Sequence, residues 1–219
     1  MTRPYVILNA AMTLDGKIAT KSGDSRISGR EDLSRTHQLR GRVDAVMVGI
    51  GTVLADNPSL TVRHAEGKNP TRVIVDSSAR IPLDAKVLDD SAPTIIATTS
   101  RAKKQKLEEL REKGAKLVIA GNEKVDLREL LKYLYAHGVK VLLLEGGSTL
   151  NWGMLKEGLV DEIRVTVSPR IVGGEKAKTL VGGEGFKKIS EGIKLEPVDV
   201  RKIGEDILLS YRVVETKND

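Results

Sequence analysis

The stretch that decides the fold begins with a short apolar run, AVMV at residues 45–48, and continues as GIGTVLADNPSLTVR at residues 49–63. The apolar run is typical of a buried strand. The segment after it combines two glycines, a hydroxyl, a carboxylate, an Asn-Pro pair and an arginine. Strands of open α/β sheets end in loops of this kind, and such loops bind ligands. We therefore predict a strand that leads into a ligand-binding loop.

Strand and helix patterns alternate on both sides of this stretch up to residue 161. Strands are predicted at 5–11, 44–48, 71–76, 94–98, 116–120 and 139–145, and helices at 30–42, 102–113, 126–137 and from 148 to about 157. Such alternation predicts a mostly parallel sheet flanked by helices. Ser28 or Gly29 is the expected cap of the first helix.

Three further strands, at 162–167, 193–203 and 207–214, follow as a group joined by glycine-rich loops. Residues 204–206, Gly-Glu-Asp, suit a hairpin turn. We expect an α/β fold whose mostly parallel sheet carries an antiparallel C-terminal edge. The length of 219 residues favours a single domain over 1–219, with two small domains as the alternative.

The composition excludes several classes of protein. The absence of cysteine rules out disulfides, thiolate metal sites and a cysteine nucleophile. His37, His64 and His137 fit no metal-ligand spacing, so no metal is predicted. No apolar run approaches the roughly 20 residues of a membrane span, and the N-terminus has no apolar signal region. We expect a cytoplasmic protein that does not contact membranes.

The chain is basic, with a net charge of +6 and a pI near 9.4. Either a nucleic-acid surface or pockets for anionic small molecules would account for this charge. Charges of both signs are interspersed, and only 3% of the residues are aromatic, which is too few for base stacking. Both features favour small anionic ligands over nucleic acid.

A second candidate site is EGGSTL at residues 145–150, directly between an apolar strand and a helix. Glycines let the backbone approach a ligand, and the free N–H groups of a helix start bind phosphate. A simple tight turn between strand and helix is the alternative. Neither a Rossmann G-x-G-x-x-G fingerprint nor a Walker P-loop is present.

Individual side chains suggest how ligands would be held. Thr52 and Asp56, four residues apart, could hydrogen-bond a ribose or amide, or could pair as a cap within the loop. Arg40 and Arg63 flank the strand and loop and could clamp a phosphate, if they are not simply solvated.

Two further loops carry polar candidates. Ser77, Ser78 and Arg80 follow the strand TRVIVD, where a basic residue could bind the 2′-phosphate that distinguishes NADPH from NADH. Lys17 lies in LDGKIA, within a long polar loop. It could meet a substrate carbonyl or phosphate, or could be an ordinary surface lysine.

Taken together, five stretches resemble the riboflavin-pathway reductase family: MTLDGKIAT, GDSRIS, HQLRGRVDAVMVGIGTVLADNPSLTVR, VIVDSSARIP and LLLEGGSTLNWGML. That family includes the reductase domain of the bacterial bifunctional deaminase–reductase and stand-alone archaeal and fungal reductases. The resemblance runs from residue 5 to the C-terminus. It implies a dihydrofolate-reductase-like fold and a homodimer, for which the apolar C-terminal strands offer a contact surface.

The resemblance also implies an activity, the NADPH-dependent reduction of a ribosylaminopyrimidine 5′-phosphate to its ribityl product. Without cysteine the chain cannot carry the zinc deaminase chemistry, and it resembles the stand-alone type. The implied substrate is 2,5-diamino-6-ribosylamino-4(3H)-pyrimidinone 5′-phosphate. The alternatives are the deaminated 5-amino-6-ribosylaminouracil 5′-phosphate, a pterin, or, in a different class, a basic nucleic-acid-binding protein.

Site residues follow from the matching motifs. The resemblance implies NADPH contacts for Thr52, Asp56, Ser77, Arg80, Gly147, Ser148, Thr149 and Leu150, and substrate contacts for Ser25, Arg40, Leu60, Arg63 and Glu145. Glu145, Asp56 and Lys17 are the catalytic candidates: the two carboxylates would stabilise positive charge, and the lysine would act as a donor.

One consequence and one departure stand out. Loop 49–63 should lie where the two ligands meet and contact both of them, the cofactor through its first half and the substrate phosphate through its second. Many bifunctional members carry a tryptophan in the segment GES-x-W-I, where this chain has the shorter GDSRIS. The contact made by that aromatic ring must be made differently here.

Overall fold

The computed structural model describes residues 3–63 and 65–214, so His64 lies outside the described residues. It forms two compact units. Of the described residues, the first unit comprises 3–5, 37–63 and 65–143, and the second comprises 6–36 and 144–214.

Nine strands and five α-helices make up the described chain. In chain order they are β1 (Tyr5–Thr13), α1 (Arg30–Arg40), β2 (Ala45–Gly49), α2 (Ile50–Asp56), β3 (Thr71–Val75), β4 (Thr94–Thr98), α3 (Lys104–Glu112), β5 (Lys116–Ile119), α4 (Leu127–Ala136), β6 (Val141–Leu144), α5 (Ser148–Lys156), β7 (Glu162–Ser168), β8 (Leu195–Ile203) and β9 (Asp206–Val213). Two short 3-10 turns lie at Lys86–Leu88 and Ile189–Glu191.

The first unit is built on five neighbouring strands in the order β5-β4-β3-β2-β6. Strands β2 to β5 run parallel, with Met47 opposite Val73 and Ile74 opposite Ile96. Residues 45–48 are fully buried, which explains why β2 is uniformly apolar rather than alternating. The carboxylate of Asp44 accepts the N–H groups of Lys140 and Val141 at 2.8 Å and so ties β6 to the start of β2.

Helix α4 shows how one pattern fixes an element of this unit. Four leucines, Leu127, Leu130, Leu131 and Leu134, recur at helical spacing and are all buried. Each such burial contributes about 2 kcal/mol before the cost of ordering the chain. Asp126 is the N-cap of this helix, and its carboxylate accepts the Glu129 N–H at 2.9 Å.

The second unit has the strand order β1-β7-β9-β8. Strands β1 and β7 are parallel, whereas β7–β9 and β8–β9 are antiparallel, with a register shift between Pro197 and Asp199. The predicted fold class, a mostly parallel α/β sheet with an antiparallel edge, is therefore confirmed.

A buried carboxylate joins helix and sheet in the second unit. Asp32, on α1, is 1% exposed and accepts from the Ser28 hydroxyl at 2.6 Å, the Arg35 guanidinium at 2.9 Å and the Thr166 hydroxyl at 2.6 Å. Because these donors compensate its charge, the carboxylate can be buried. Ser28 therefore binds the Asp32 side chain, while the Gly29 carbonyl accepts the Leu33 N–H that opens α1.

The main difference from the sequence prediction lies in residues 49–63. Their first half is helix α2 (Ile50–Asp56) rather than loop. Ile50 and Val53, three residues apart, are both buried, and this packing outweighs the turn signals of the nearby Gly and Asp residues. Asn57 ends the helix in the left-handed region, at φ 40°, and Pro58 follows. Other element ends differ from the predictions by at most two residues, as helix and strand ends commonly do.

Candidate active site

A polar cavity of about 210 Å³ lies beside α2 in the first unit, and we call it the arginine pocket. It is lined by Arg40, Asp56, Asn57, Pro58, Ser59, Leu60, Arg63 and Lys86. Four predicted site residues therefore meet there: Arg40, Asp56, Leu60 and Arg63. With three cations against one carboxylate, the pocket is suited to an anion such as a phosphate.

The loop that forms this pocket has an unusual backbone. Asn57 and Leu60 both have positive φ, 40° and 54°, although neither is glycine. Leu60 is nonetheless buried, at 2% exposure. A left-handed leucine costs on the order of 1 kcal/mol or more, a strain that concentrates at functional sites. The Asn57 side-chain oxygen accepts the Lys86 N–H at 2.9 Å, which joins the loop to the pocket wall that Lys86 forms.

Both pocket arginines are connected through the main chain of the same loop. Arg40 lies in the last turn of α1, and its Nη1 donates to the Thr61 carbonyl at 3.2 Å. Two residues further, the Arg63 N–H donates to Nδ1 of the buried His37 at 3.0 Å. Sequence reasoning missed the roles of His37 and Lys86. His37 is the first residue of the stretch HQLRGRVDAVMVGIGTVLADNPSLTVR, but no spacing within that stretch indicates its contact with Arg63. Lys86 joins the pocket lining only through the tertiary fold.

Thr52 lies on α2, one helical turn before Asp56, and is half-buried. In a helix the two side chains share a face, as predicted, but Thr52 is not part of the pocket lining. The alternative of a cap is not realised by either residue. Gly49 is the N-cap of α2, and no side chain of the described residues caps it.

Ser77 and Arg80 lie in the turn that follows β3, held by the buried Asp76. One Asp76 oxygen accepts the Ile81 N–H at 2.9 Å. The other lies 3.5 Å from Arg80 Nε without the geometry of a hydrogen bond. Ser77 Oγ accepts the Val125 N–H at 3.2 Å, while Arg80 is 59% exposed and its guanidinium can reach a ligand.

In the second unit, EGGSTL forms the junction of β6 and α5. Glu145 is half-buried, Gly146 has φ +89°, and the peptide between Gly146 and Gly147 is cis. Only glycine tolerates this φ readily. Gly147 is the N-cap of α5, and among the described residues no side chain caps it. Ser148 and Leu150 are buried and Thr149 is exposed.

A loop that sequence reasoning did not single out lies against this helix start. The Gly182 N–H donates to the Ser148 carbonyl at 3.1 Å, and Asn151 Nδ2 donates to the Leu180 carbonyl at 2.8 Å. A Cβ on Gly183 would lie 1.9 Å from Trp152 Cδ1, so only glycine fits beneath that ring. The pair Gly182-Gly183 was the signal available in the sequence.

Lys17 reaches the same loop through its backbone, which forms an isolated antiparallel bridge with Thr179. Its own turn is closed by Asp15, whose carboxylate accepts from the Thr13 hydroxyl at 2.6 Å and the Gly173 N–H at 2.8 Å. The Thr13 hydroxyl, followed by the N–H groups of Gly173 and Val172, lowers the pKa of Asp15. Lys17 and the start of α5 are thus held by one segment, residues 179–182.

Ser25 lies on the surface of the second unit. Its loop is closed on itself, because Asp24 binds the Arg26 guanidinium through bonds of 2.9 and 2.8 Å. That bidentate pair, with the Arg26 side chain 89% exposed, occupies the segment where the sequence departs from the family motif.

Within residues 3–63 and 65–214, no group of three or more His, Asp or Glu side chains could hold a metal ion. Helices long and apolar enough to cross a membrane are likewise missing from the described part of the chain.

The residues present fit a nicotinamide cofactor. The start of α5 offers N–H groups behind a glycine pair, without an acidic residue in its first turn, and this suits a pyrophosphate. Beside it, the Asn151 Oδ1 atom is buried and has no partner among the described residues. A hydroxyl or amide group of a bound ligand could satisfy it.

These features define a class: an α/β protein of the dihydrofolate reductase type, with a mostly parallel sheet and an antiparallel edge. Dihydrofolate reductase from Enterococcus faecalis has the same fold, with a TM-score of 0.54 at 13% identity over 96% of this chain and 97% of that one.

The family is more specific. The family model described as the RibD C-terminal domain matches residues 4–209. The 2,5-diamino-6-ribosylamino-4(3H)-pyrimidinone 5′-phosphate reductase of Methanothermobacter thermautotrophicus is 55% identical over 214 residues, covering 96% of this chain and 99% of that protein. The chain belongs to the RibD C-terminal domain family, as the resemblance predicted.

A solved relative combines two activities in its name. It is the diaminohydroxyphosphoribosylaminopyrimidine deaminase/5-amino-6-(5-phosphoribosylamino)uracil reductase of Thermotoga maritima, with a TM-score of 0.80 at 30% identity. The similarity covers 97% of this chain and 57% of that protein, so this chain spans little more than half of the bifunctional relative.

Proposed function

We propose that this protein reduces 2,5-diamino-6-ribosylamino-4(3H)-pyrimidinone 5′-phosphate to its ribitylamino product in riboflavin biosynthesis, with NADPH as the reductant. The observation that carries the proposal is the 55% identity, over almost the full length of both chains, to a reductase named for this substrate. The arginine pocket supports it, because Arg40, Arg63 and Lys86 provide the charge that a 5′-phosphate requires.

The proposed ligands divide between the sites described above. Arg40, Leu60 and Arg63 hold the phosphate end of the substrate, and Ser25 and Glu145 contact the remainder. Thr52 and Asp56 on α2, together with residues 147–150, contact the cofactor. Ser77 and Arg80 bind its adenosine 2′-phosphate, for which the exposed Arg80 guanidinium is a suitable partner. Segment 49–63 then contacts both ligands, the cofactor through its helical half and the substrate through its loop half.

NADPH supplies a hydride from C4 of its nicotinamide ring. The ribose ring of the substrate must open, so that C1 of the sugar becomes an imine carbon, and the exocyclic nitrogen must be protonated for that carbon to accept hydride. One hydride and one proton then convert the imine to the amine. The protein has to place C1, stabilise the positive charge on nitrogen and move the proton.

Glu145 and Asp56 are proposed for the stabilisation of this charge, and Lys17 as a donor to the substrate. A half-buried carboxylate such as Glu145 acts in a medium of lower dielectric constant than water, where its effect on an iminium is larger.

The second candidate substrate is the deaminated 5-amino-6-ribosylaminouracil 5′-phosphate. It is favoured by the name of the Thermotoga maritima relative, which includes a uracil reductase. The two pyrimidines differ at one exocyclic position, and both carry the phosphate that the arginine pocket suits.

The assembly and setting are proposed as follows. The chain acts as a single reductase domain in a cytoplasmic homodimer, and it binds neither nucleic acid nor membrane. Strand β8 supports the dimer, because it is exposed along nearly its whole length and carries Leu195, Val198 and Val200 at 41%, 56% and 62% exposure. Interspersed charges and few aromatic residues speak against a nucleic-acid surface.

The direct test presents each pyrimidine with NADPH and follows cofactor oxidation. Faster oxidation with the diamino compound is expected, and no oxidation with either would contradict the proposed function.

The variants Glu145→Gln and Asp56→Asn test the two proposed catalytic carboxylates. Turnover should fall by about 100-fold or more if the replaced carboxylate is a catalytic group. Full turnover by both variants would remove them from the mechanism. Steeply salt-dependent DNA or RNA binding without NADPH binding would favour the nucleic-acid alternative.

A further inference from the structure

His37 lies behind the arginine pocket and has no part in its lining. It occupies the last turn of α1, three residues before Arg40, and its side chain is only 6% exposed. One ring nitrogen, Nδ1, lies 3.0 Å from the Arg63 main-chain nitrogen and 3.2 Å from the Thr61 carbonyl oxygen. The same imidazole nitrogen therefore contacts the main chain at both residue 61 and residue 63.

These two contacts make opposite demands on Nδ1. The Arg63 N–H can only donate, so that bond requires a bare nitrogen with its lone pair directed at Arg63. The Thr61 carbonyl can only accept, so a bond to it would require a proton on the same nitrogen. One nitrogen cannot meet both demands at the same time.

Arg40 resolves the conflict. Its Nη1 donates to the Thr61 carbonyl at 3.2 Å, so this oxygen does not need the proton of the imidazole. With Nδ1 bare, the Arg63 N–H has its acceptor and Thr61 has its donor. With Nδ1 protonated, two donors would face each other, and a main-chain N–H would lose its partner at a cost comparable to a full desolvation. The network thus assigns the tautomer.

We infer that His37 is a positioning residue for the substrate phosphate. Its unprotonated Nδ1 accepts the Arg63 N–H and so fixes the main chain of Arg63. Because Nδ1 then has no proton to donate to the Thr61 carbonyl, that carbonyl accepts from Arg40 and fixes the Arg40 guanidinium. The inference rests on the proposed function and names a part of its machinery that touches neither ligand. It explains why two arginines from different segments converge, since one imidazole and one carbonyl connect them. Preorganisation of this kind acts on binding of the phosphate rather than on hydride transfer.

Substitutions of His37 can distinguish the effect of its hydrogen-bond acceptor from the effect of its side-chain volume. The Oδ1 atom of asparagine and the Nδ1 atom of histidine are the same number of bonds from Cα, so His37→Asn keeps an acceptor for the Arg63 N–H. Gln places its oxygen one bond further, and Leu has none. We expect KM for the phosphorylated substrate to rise roughly tenfold in His37→Leu and His37→Gln, and less than about threefold in His37→Asn. In all three variants kcat should change by less than about twofold. The control is His137→Leu, which replaces the exposed C-cap residue of α4, whose Nδ1 lies 2.8 Å from the Tyr133 carbonyl oxygen. This variant should behave as wild type.

A substrate without its 5′-phosphate supplies the decisive comparison. The rise in KM should be absent for that compound, whereas general damage to the fold would weaken both substrates equally. Affinity for ribose 5-phosphate, measured by calorimetry without turnover, should follow the same order of variants. The binding measurement stays valid even if the wild-type protein does not oxidise NADPH, because that result would contradict only the proposed function. Equal affinities in His37→Asn and His37→Gln, or equal losses with and without the phosphate, would overturn the inference.

Discussion

Arg72 and Asp89 show at the scale of single residues how the first unit tolerates a buried charge. Arg72, on β3, is fully buried, and its guanidinium donates to the Thr94 hydroxyl at 2.8 Å, the Asp89 carboxylate at 2.8 Å and the carbonyls of Asp89 and Ala92. With all these acceptors the burial of the cation is compensated. The Ser91 hydroxyl and then Arg72 lower the pKa of Asp89 to about 2.

That pKa predicts how stability depends on pH. Because the pKa of Asp89 in the folded protein lies below its ordinary value of 3.8, the carboxylate adds stability that is complete above about pH 5 and is lost as the pH falls towards 2. Asp89→Asn should therefore lower Tm by a few degrees near neutral pH, a modest value because this side chain is 51% exposed. The difference should narrow as thermal scans move to acid pH.

Asp90→Asn, at the exposed neighbouring position, is the matched control and should follow wild type at each pH. A difference between Asp89→Asn and wild type that stayed constant down to about pH 2 would show that the carboxylate charge is not the source of the stabilisation.

Residues within motifs could be predicted, and residues that only the fold brings to a site could not. Arg40, Asp56, Leu60 and Arg63 belong to one continuous stretch of sequence, and the structure places all four around one cavity. Lys86 reaches that cavity from a 3-10 turn. His37, in the last turn of α1, lies behind the cavity and accepts the Arg63 N–H. No spacing in the sequence reveals such a contact, because it depends on the distance between elements rather than on residues within one.

At the scale of elements, the strongest signal was the apolar run, and the weakest was the boundary between helix and loop. Strands β2 to β6 were all predicted from short apolar or β-branched runs, which are clearest in the buried strands β2 and β4. The edge strand β5 is partly exposed. Helix α2 was missed because it has only seven residues, and its two buried side chains give little periodicity. The predicted strand at 193–203 is confirmed as β8, beginning two residues later, at Leu195.

The edge position of β8 leads to a prediction about assembly. An exposed edge strand with apolar side chains pairs readily with another chain. We expect Val200→Lys to raise the dissociation constant of the proposed dimer by about tenfold or more, because a charge would have to be buried in the contact. Sedimentation velocity at several protein concentrations measures this.

Ile189→Lys is the matched control, because Ile189 is an equally apolar and 99% exposed side chain outside β8 and β9. It should leave sedimentation unchanged. A monomeric wild type, or identical behaviour of Val200→Lys and wild type, would remove β8 as the dimer contact.

For the molecule as a whole, fold class and family could both be predicted from the sequence, since alternating elements and ordered motifs are properties of the chain itself. The structure adds what holds the motifs in place: a left-handed Leu60 in the pocket loop, and the segment 179–182 that joins Lys17 to the start of α5. Both depend on contacts between residues far apart in the sequence, so neither could be predicted from a local pattern.

In the proposed reaction, the protein transfers a hydride from NADPH to C1 of the ribosyl group. The most direct measurement uses NADPH deuterated at C4, with both diastereomers in parallel, and analyses the product by mass spectrometry and NMR. One of the two forms should deliver a single deuterium, located on C1 of the ribityl chain, while the 5′-phosphate is retained. Deuterium on the pyrimidine ring, or no transfer from either form, would contradict the proposed hydride transfer to C1.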